Sequence, residues 1–273
     1  MLNEPKVTYI VNTFNREIKL YNAIDSIYKQ NYSNLSIVVV DDCSIKDLSE
    51  VIKFKYPNIE YIRNKQNFGL ARSRQIALEN TTSEFVAFLD DDDILIDTDK
   101  TRRHVAKLNE VENIAVVCST VYEVSEGSRI KKDIAWPDDV KNHLMKMNGI
   151  IYPSTSTCRK SLLLKSGGFD FNFRRGIDSD LYRRILLAGY DIEFDHEPTI
   201  DYLVVANDKI TDNNSMNGLI KNLESNAMTL YKYKGYYLMN FEALYRRVRN
   251  VLSGCFKIVR LYLKRLISER GIN

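Results

Sequence analysis

Histidine is scarce in this chain, tryptophan scarcer, and paired cysteine absent. There are three histidines and one tryptophan in 273 residues. Cys43, Cys118, Cys158 and Cys255 are scattered, with no Cys-x-x-Cys pair. That excludes a zinc ribbon and a disulfide framework, and the thiols read as reduced cytosolic ones. His196, between Asp195 and Glu197, has no histidine or cysteine at ligand spacing, so it reads as a surface or strand-edge residue. No apolar run approaches the length that spans a bilayer. The first residues lack a charged segment followed by a long apolar one, so no secretory leader is expected. Internal repeats and low-complexity segments are missing. No recognised nucleic-acid module appears and the basic charge is local, which argues against a nucleic-acid partner.

What is present is ordinary for a soluble globular protein: 44% apolar residues, 27% charged, formal net charge +3. The length suits one large domain, or a domain with an appendage. Four strand–helix alternations fill the first 112 residues. Val7 to Val11, Leu35 to Val40, Ile59 to Arg63 and Phe85 to Leu89 are short β-prone apolar runs. Helical stripes lie between them: Ile18 to Gln30, Asp47 to Tyr56 (stopped at Pro57), and Leu70 to Glu79. A further helix, capped by Asp97 or Thr98, ends near Glu110. The alternation predicts a parallel sheet with right-handed crossovers and helices on both faces.

The most informative stretch is Asp90-Asp91-Asp92-Asp93, which ends the fourth strand. Four adjacent carboxylates repel one another and resist burial without partners. Their expected place is the carboxyl end of the strand, facing a cleft. A hard divalent cation would relieve them, and Mg²⁺ tends to bind through one or two carboxylates plus substrate phosphates. The second strand also ends in carboxylates, Asp41 and Asp42. If strands two and four flank strand one, their tips lie roughly 10 Å apart, twice the strand spacing. A nucleotide spanning that gap would put its base near Asp42 and its diphosphate near Asp92. The bland alternatives are a solvated acidic turn, with Asp42 capping the helix that begins near Asp47 and Arg72 on a solvated face.

From Ala115 the rhythm loosens. Ala115 to Cys118, Thr120 to Val124, Tyr190 to Phe194 and Thr199 to Val205 read as strands, with a turn at Glu126-Gly127-Ser128. Trp136 to Asp139 reads as irregular, and Ile150 to Cys158 as β-prone and rich in small hydroxyls. Lys160 to Ser166 and Asp178 to Ala188 read as helices. Asn207 to Asn217 is polar. Residues 240–273 carry eight basic groups against Glu242 and Glu269, leaving the rest of the chain net negative. Leu244, Val248, Val251, Leu252, Cys255, Phe256, Val259, Leu263 and Leu266 recur at three- and four-residue steps. Such a helix suits an anionic membrane surface. The alternative is a helix packed on the domain or across a dimer, its basic face solvated.

In order, these residues resemble glycosyltransferase family two: Val7 to Arg16, Val38 to Ser44, Asn67 to Arg74, Phe88 to Asp93, Gly167-Gly168-Phe169-Asp170 and Asp178 to Arg184. The resemblance covers about residues 5 to 205. It implies a GT-A fold, with a Rossmann-like, mostly parallel central sheet flanked by helices. It implies a catalytic domain over 1–206, made of a nucleotide-binding half (1–112) and an acceptor-binding half (113–206). A helical basic extension follows over 207–273. It further implies a nucleotide-sugar donor, usually a UDP-sugar, an Mn²⁺ or Mg²⁺ ion, and inversion at the anomeric carbon. Residue by residue, Asn12 and Phe14, in the loop that ends at Arg16, stand where the first loop contacts base and ribose. Asp42 matches the carboxylate that accepts from the base, and Arg72 a basic position near the nucleotide. Asp90, Asp91 and Asp92 match the Asp-x-Asp motif, with Asp91 near the ribose and Asp92 on the metal. Asp178 matches the catalytic base, and a helix start would tend to lower its pKa.

Three positions depart from the pattern. Phe14 stands where a tyrosine is common, Cys43 where a glycine is usual, and Ile177 where a glutamate usually precedes the base. The resulting expectation is a cytoplasmic glycosyltransferase, peripheral at the inner face of the cell membrane, acting on a glycan or lipid-linked oligosaccharide of a surface polysaccharide. One rival is a phosphohydrolase with Asp90 as nucleophile, though Asp93-Ile94-Leu95 fits it poorly. Another is a non-catalytic scaffold that binds a nucleotide-sugar, for which Ile177 is the hint.

Overall fold

A computed structural model describes residues 4–204 and 215–269, the last six by backbone alone. The expected boundary at 206/207, most of the polar stretch 207–217 and Arg270 fall outside them. The elements run β1 (Val7–Thr13), α1 (Glu17–Ile27), β2 (Leu35–Asp41), α2 (Ser49–Lys55), β3 (Ile59–Arg63), α3 (Leu70–Asn80) and β4 (Phe85–Asp90). Then come β5 (Asp93–Leu95), α4 (Lys100–Glu110), β6 (Ile114–Ser125), β7 (Ser128–Lys131), α5 (Val140–Lys146), β8 (Thr157–Arg159), α6 (Lys160–Lys165), α7 (Ile177–Leu187) and β9 (Asp191–Leu203). Three helices follow: α8 (Met216–Lys232), α9 (Lys234–Met239) and α10 (Phe241–Glu269).

One curled sheet holds all the described strands, in the order β3-β2-β1-β4-β8-β6-β9-β5, with β7 hairpinned on β6. The first four are parallel, as their alternation with helices requires. Every other residue of these strands faces a different layer. Val7, Tyr9, Val11, Ile37, Val39, Phe85, Ala87 and Leu89 pack with α1, α2 and α4. Ile10, Val38, Val40, Val86 and Phe88 pack with α3, α6 and α7. Burial on both faces explains the near-continuous apolar runs.

The second half departs from the sequence reading in three ways. The two strand segments before the 126–128 turn are one strand, β6, continuous through register irregularities around Ser119 and Thr120. The two after α7 are likewise one strand, β9, running parallel to β6 through Pro198. Pairing across β4–β8, β8–β6 and β9–β5 is antiparallel, so the sheet is mixed beyond β4. Second, α5 begins directly after the irregular stretch from Trp136 to Asp139, in chain to which the sequence reading assigns no element. Third, a 3-10 turn at Pro153–Thr155 breaks the β-prone stretch before β8. Ahead of α4, Asp99 occupies the cap position and makes no side-chain cap, so neither Asp97 nor Thr98 serves.

Candidate active site

Register sets the carboxyl tips of three strands side by side. Thr13 of β1 pairs with Asp41 of β2, and Asn12 of β1 pairs with Asp90 of β4. Strands two and four therefore flank strand one, and both acidic clusters lie along one edge of the sheet. The reversal of strand order at β1 makes this the switch point at which open α/β sheets bind ligands.

The four consecutive aspartates do not behave as one charge cluster: Asp90 and Asp93 are drawn to separate partners, and Asp91 and Asp92 share one guanidinium. The Asp90 carboxylate accepts from Arg74 Nη2 at 2.5 Å. Asp91 accepts from Thr13 Oγ1 at 2.7 Å and from Arg16 Nη1 at 3.0 Å. Burial pushes its pKa up to about 6, opposed by those two donors. Arg16 Nη1 also donates to Asp92 Oδ2 at 2.8 Å. Asp93 turns inward against expectation. It is buried on β5 and accepts from Ser154 Oγ at 2.5 Å, and burial beside the other aspartates raises its pKa well above the usual carboxylate range. Ser154 is a contact the sequence reading missed, although the hydroxyl run after Pro153 was its signal.

Asp92 keeps 30% of its side chain exposed, the most accessible site of the pair bridged by Arg16. A guanidinium already spans Asp91 and Asp92, so this corner is built to hold positive charge. Among the described residues no three histidine, cysteine or carboxylate side chains converge as a closed cage. One partly exposed carboxylate that leaves most coordination positions to a substrate fits Mg²⁺ or Mn²⁺ better than a structural metal.

Asp178 lies in the first turn of α7, after Gly176 in the left-handed conformation. Sequence places it far from the acidic tips, but the fold brings it to them through Arg74. This arginine is fully buried, stacks its guanidinium 5.6 Å from the centroid of the Phe88 ring, and donates from Nη1 to Asp178 Oδ1 while Nη2 holds Asp90. Burial works against its charge, and Asp178 and Asp90 more than restore it, leaving its pKa above the ordinary range. The pKa of Asp178 is raised, by burial first, with Arg74 pulling the other way and Asp90 adding to the rise. The lowering expected from the helix start is therefore outweighed. Ile177 faces away into the core, 7% exposed among apolar residues.

Sequence reasoning chose Arg72 rather than Arg74. Arg72 is exposed, its guanidinium carbon 5.5 and 5.2 Å from the Phe68 and Phe171 ring centroids. The helical phase was the available signal: Ala71, Arg74, Ala77 and Leu78 share the buried face of α3.

Asp42 is buried and does not cap α2. Its oxygens accept from Asn64 Nδ2, Phe68 N and Gly69 N, each at 2.8 Å, so it draws the loop before α3 onto the tip of β2. Asp41 instead organises the turn after β2, accepting from Ser44 and from the side chains of Tyr61 and Arg63. Cys43 takes a positive φ of 68° in that turn, which explains why a glycine suits the position. Asn15, also at positive φ, ties the two tip loops together by accepting from Ile45 N and donating its own N–H to Ser44 Oγ. Phe14 is left 42% exposed on the tip. Asn12 has a buried amide nitrogen with no acceptor in the described structure.

Comparison with known proteins agrees with this architecture. The family model for "Glycosyl transferase family 2" matches residues 8–175. A GalNAc(5)-diNAcBac-PP-undecaprenol beta-1,3-glucosyltransferase of Campylobacter jejuni is 40% identical over 97 residues, which are 34% of this chain and 31% of that protein. The chain spans 14% of the length of one curated relative and 76% of another. Among solved structures, a mannosyltransferase from Pyrobaculum calidifontis in complex with GDP-Man and Mn²⁺ superposes with a TM-score of 0.67 at 18% identity, covering 99% of this chain and 80% of that one. S. aureus TarS 1-349 in complex with UDP-GlcNAc gives 0.62 at 17% identity, covering 93% and 81%. At such identities the likeness is one of fold.

Proposed function

The chain belongs to glycosyl transferase family 2, and from that premise we propose that it transfers a sugar from a nucleotide-sugar, a UDP-sugar by preference, to an acceptor hydroxyl with inversion. The acceptor class is a glycan or lipid-linked oligosaccharide of a surface polysaccharide. The observation that carries this reading is the Arg74 bridge, which ties Asp178 of the acceptor-binding half to Asp90 at the tip of the donor-binding half.

The chemistry follows from those positions. The acceptor hydroxyl gives its proton to the Asp178 carboxylate as its oxygen bonds to the anomeric carbon. The bond from that carbon to the donor diphosphate breaks on the opposite face, so configuration inverts. Burial makes Asp178 a stronger base than a solvated aspartate, and Arg74 keeps it ionised and aimed. In this reading Asn12, Phe14, Asp42, Asp90 and Asp91 serve base and ribose, as the family resemblance implies. Arg72 is the exposed cation offered to the nucleotide, since Arg16 and Arg74 are already paired with aspartates. Asp92 and the donor's phosphate oxygens would hold Mn²⁺ or Mg²⁺, which when bound supplies positive charge to the departing diphosphate. The Mn²⁺ and nucleotide-sugars of the two structural neighbours, and the undecaprenol-linked acceptor in the Campylobacter enzyme's name, support this choice.

A thermal-shift panel of nucleotide-sugars with and without Mn²⁺ tests the donor, since a ligand of the folded state raises apparent stability. The true donor should raise the midpoint in a metal-dependent way. Asp178→Asn should keep that shift and lose transfer by about 10²–10⁴-fold. No shift with any donor, or an Asp178→Asn protein that transfers at the parental rate, would overturn the assignment.

A further inference from the structure

The C-terminal helix α10 is neither a free tail nor a fully packed one. One side of it is bolted to the domain through Arg247, which is fully buried. Its Nε and Nη2 donate to Met145 O and Leu144 O at 3.0 and 2.9 Å, at the end of α5, and its Nη1 donates to Asn226 Oδ1 on α8 at 2.9 Å. Arg183 of α7 donates to the same Leu144 carbonyl at 2.8 Å and to Asn148, whose Oδ1 Arg247 also contacts. The helix that carries Asp178 and the surface helix α10 thus grip one carbonyl and one amide. Gly254, on the same side of α10, lies against Leu223.

A second side is apolar and uncovered. Phe241, Tyr245, Leu252, Phe256, Val259 and Leu263 are each more than half exposed. At 100° per residue they fall within one band of α10, and they run about 33 Å along its axis. Leu238 and Met239 at the end of α9 are also exposed, 71% and 90%. A contiguous band of this size on a soluble face marks a docking surface rather than scattered surface leucines. Exposed Arg246, Arg249, Lys257 and Arg260 lie along one flank of it. Between 241 and 263 the acidic residue is Glu242, already paired with Lys146 and Arg246. Two such helices side by side would repel through their basic flanks and have no acidic residues to pair with them. An anionic surface meets the same flank with attraction. No helix of the described residues is long and apolar enough to cross a membrane.

We propose that α10 docks the protein on a bilayer carrying anionic phospholipid. It lies in the interface plane, with the aromatic and aliphatic band at the acyl boundary and the arginines and lysine against lipid phosphates. Because Arg247 and Arg183 share their anchors, docking holds the catalytic helix at a set orientation to the lipid surface, which suits an acceptor presented there.

Flotation of the full chain with phosphatidylglycerol/phosphatidylcholine vesicles, against phosphatidylcholine alone, tests this. The parent should float with the anionic vesicles and stay down with the neutral ones. Leu252→Glu with Phe256→Glu should lower partitioning roughly tenfold or more, with an unchanged melting midpoint, because both side chains are exposed. Arg249→Glu with Arg260→Glu should remove the preference for anionic lipid. A parent that stays down with anionic vesicles, or pairs of variants that float as it does, would overturn the proposal. So would light scattering that shows a dimer dissociated by the Leu252/Phe256 pair, which would give the band to a second copy.

Discussion

Arg74→Met removes the charge that Asp178 and Asp90 share and leaves an unbranched apolar side chain above Phe88. Two unit charges about 4 Å apart attract by about 4 kcal/mol at an effective dielectric near 20, before desolvation is subtracted. Removing one partner of a fully buried pair costs about 3–5 kcal/mol. Here Arg74 is 2% exposed while Asp178 and Asp90 keep 20% and 34% of their side chains accessible, so water takes up part of the loss. A stability loss of about 2–4 kcal/mol at neutral pH is expected. The functional readout is sharper. An adjacent arginine depresses a carboxyl pKa, so its removal lets burial and Asp90 push Asp178 further up. With Asp178 as the proposed base, transfer needs its carboxylate, so the acid limb of kcat/KM should move to higher pH. The stability deficit has a linked sign. In the variant the folded state holds a proton on Asp178 at pH values where the unfolded carboxyl has lost it. Stability then rises as pH falls through the raised folded pKa, and the deficit is largest at high pH. Urea melts at pH 8 and pH 5 beside a pH–rate profile would check both. An unmoved acid limb with a pH-independent deficit would refute the claim that Arg74 sets the ionisation of the base.

Two other positions turn departures from the family pattern into measurements. Ile177→Glu places a carboxyl in the apolar cluster beneath α7, so urea melts should show a loss of about 2–4 kcal/mol, while an unchanged midpoint would mean the position opens to the cleft. Cys43→Gly relieves a positive φ of 68° and should raise stability by about 0.5–1 kcal/mol, and a lowered melting midpoint would show that the Cys43 contact with the Lys65 carbonyl matters more than the backbone.

The first half of the fold was legible because every signal in it is local. Strands buried on both faces are continuous apolar runs, and each ends where charge begins. The helices between them show a single stripe. The second half was less legible for identifiable reasons. Strands β5, β7 and β8 hold three or four residues each, too few to show a period. Register irregularities near Ser119 and the proline and exposed charges within β9 made two long strands look like four short ones. For α10 the three- and four-residue steps foretold an apolar side, but both packed and open apolar residues follow that step. Only the tertiary contacts of Arg247 and Gly254 separate the two.

The sequence by itself determined where the acidic tips of β2 and β4 fall, which residues face inward along the first four strands, and the basic, amphipathic character of the last helix. These are matters of neighbours one to four residues apart. Tertiary structure alone decided which charge meets which. Arg74 reaches Asp178 across 104 residues, and Arg16 reaches Asp92 across 76. An ion pair has no periodicity and leaves no mark on the residues between its partners. Helical phase puts Arg72 and Arg74 on opposite faces of α3, but only the tertiary structure shows Arg74 joining Asp90 to Asp178.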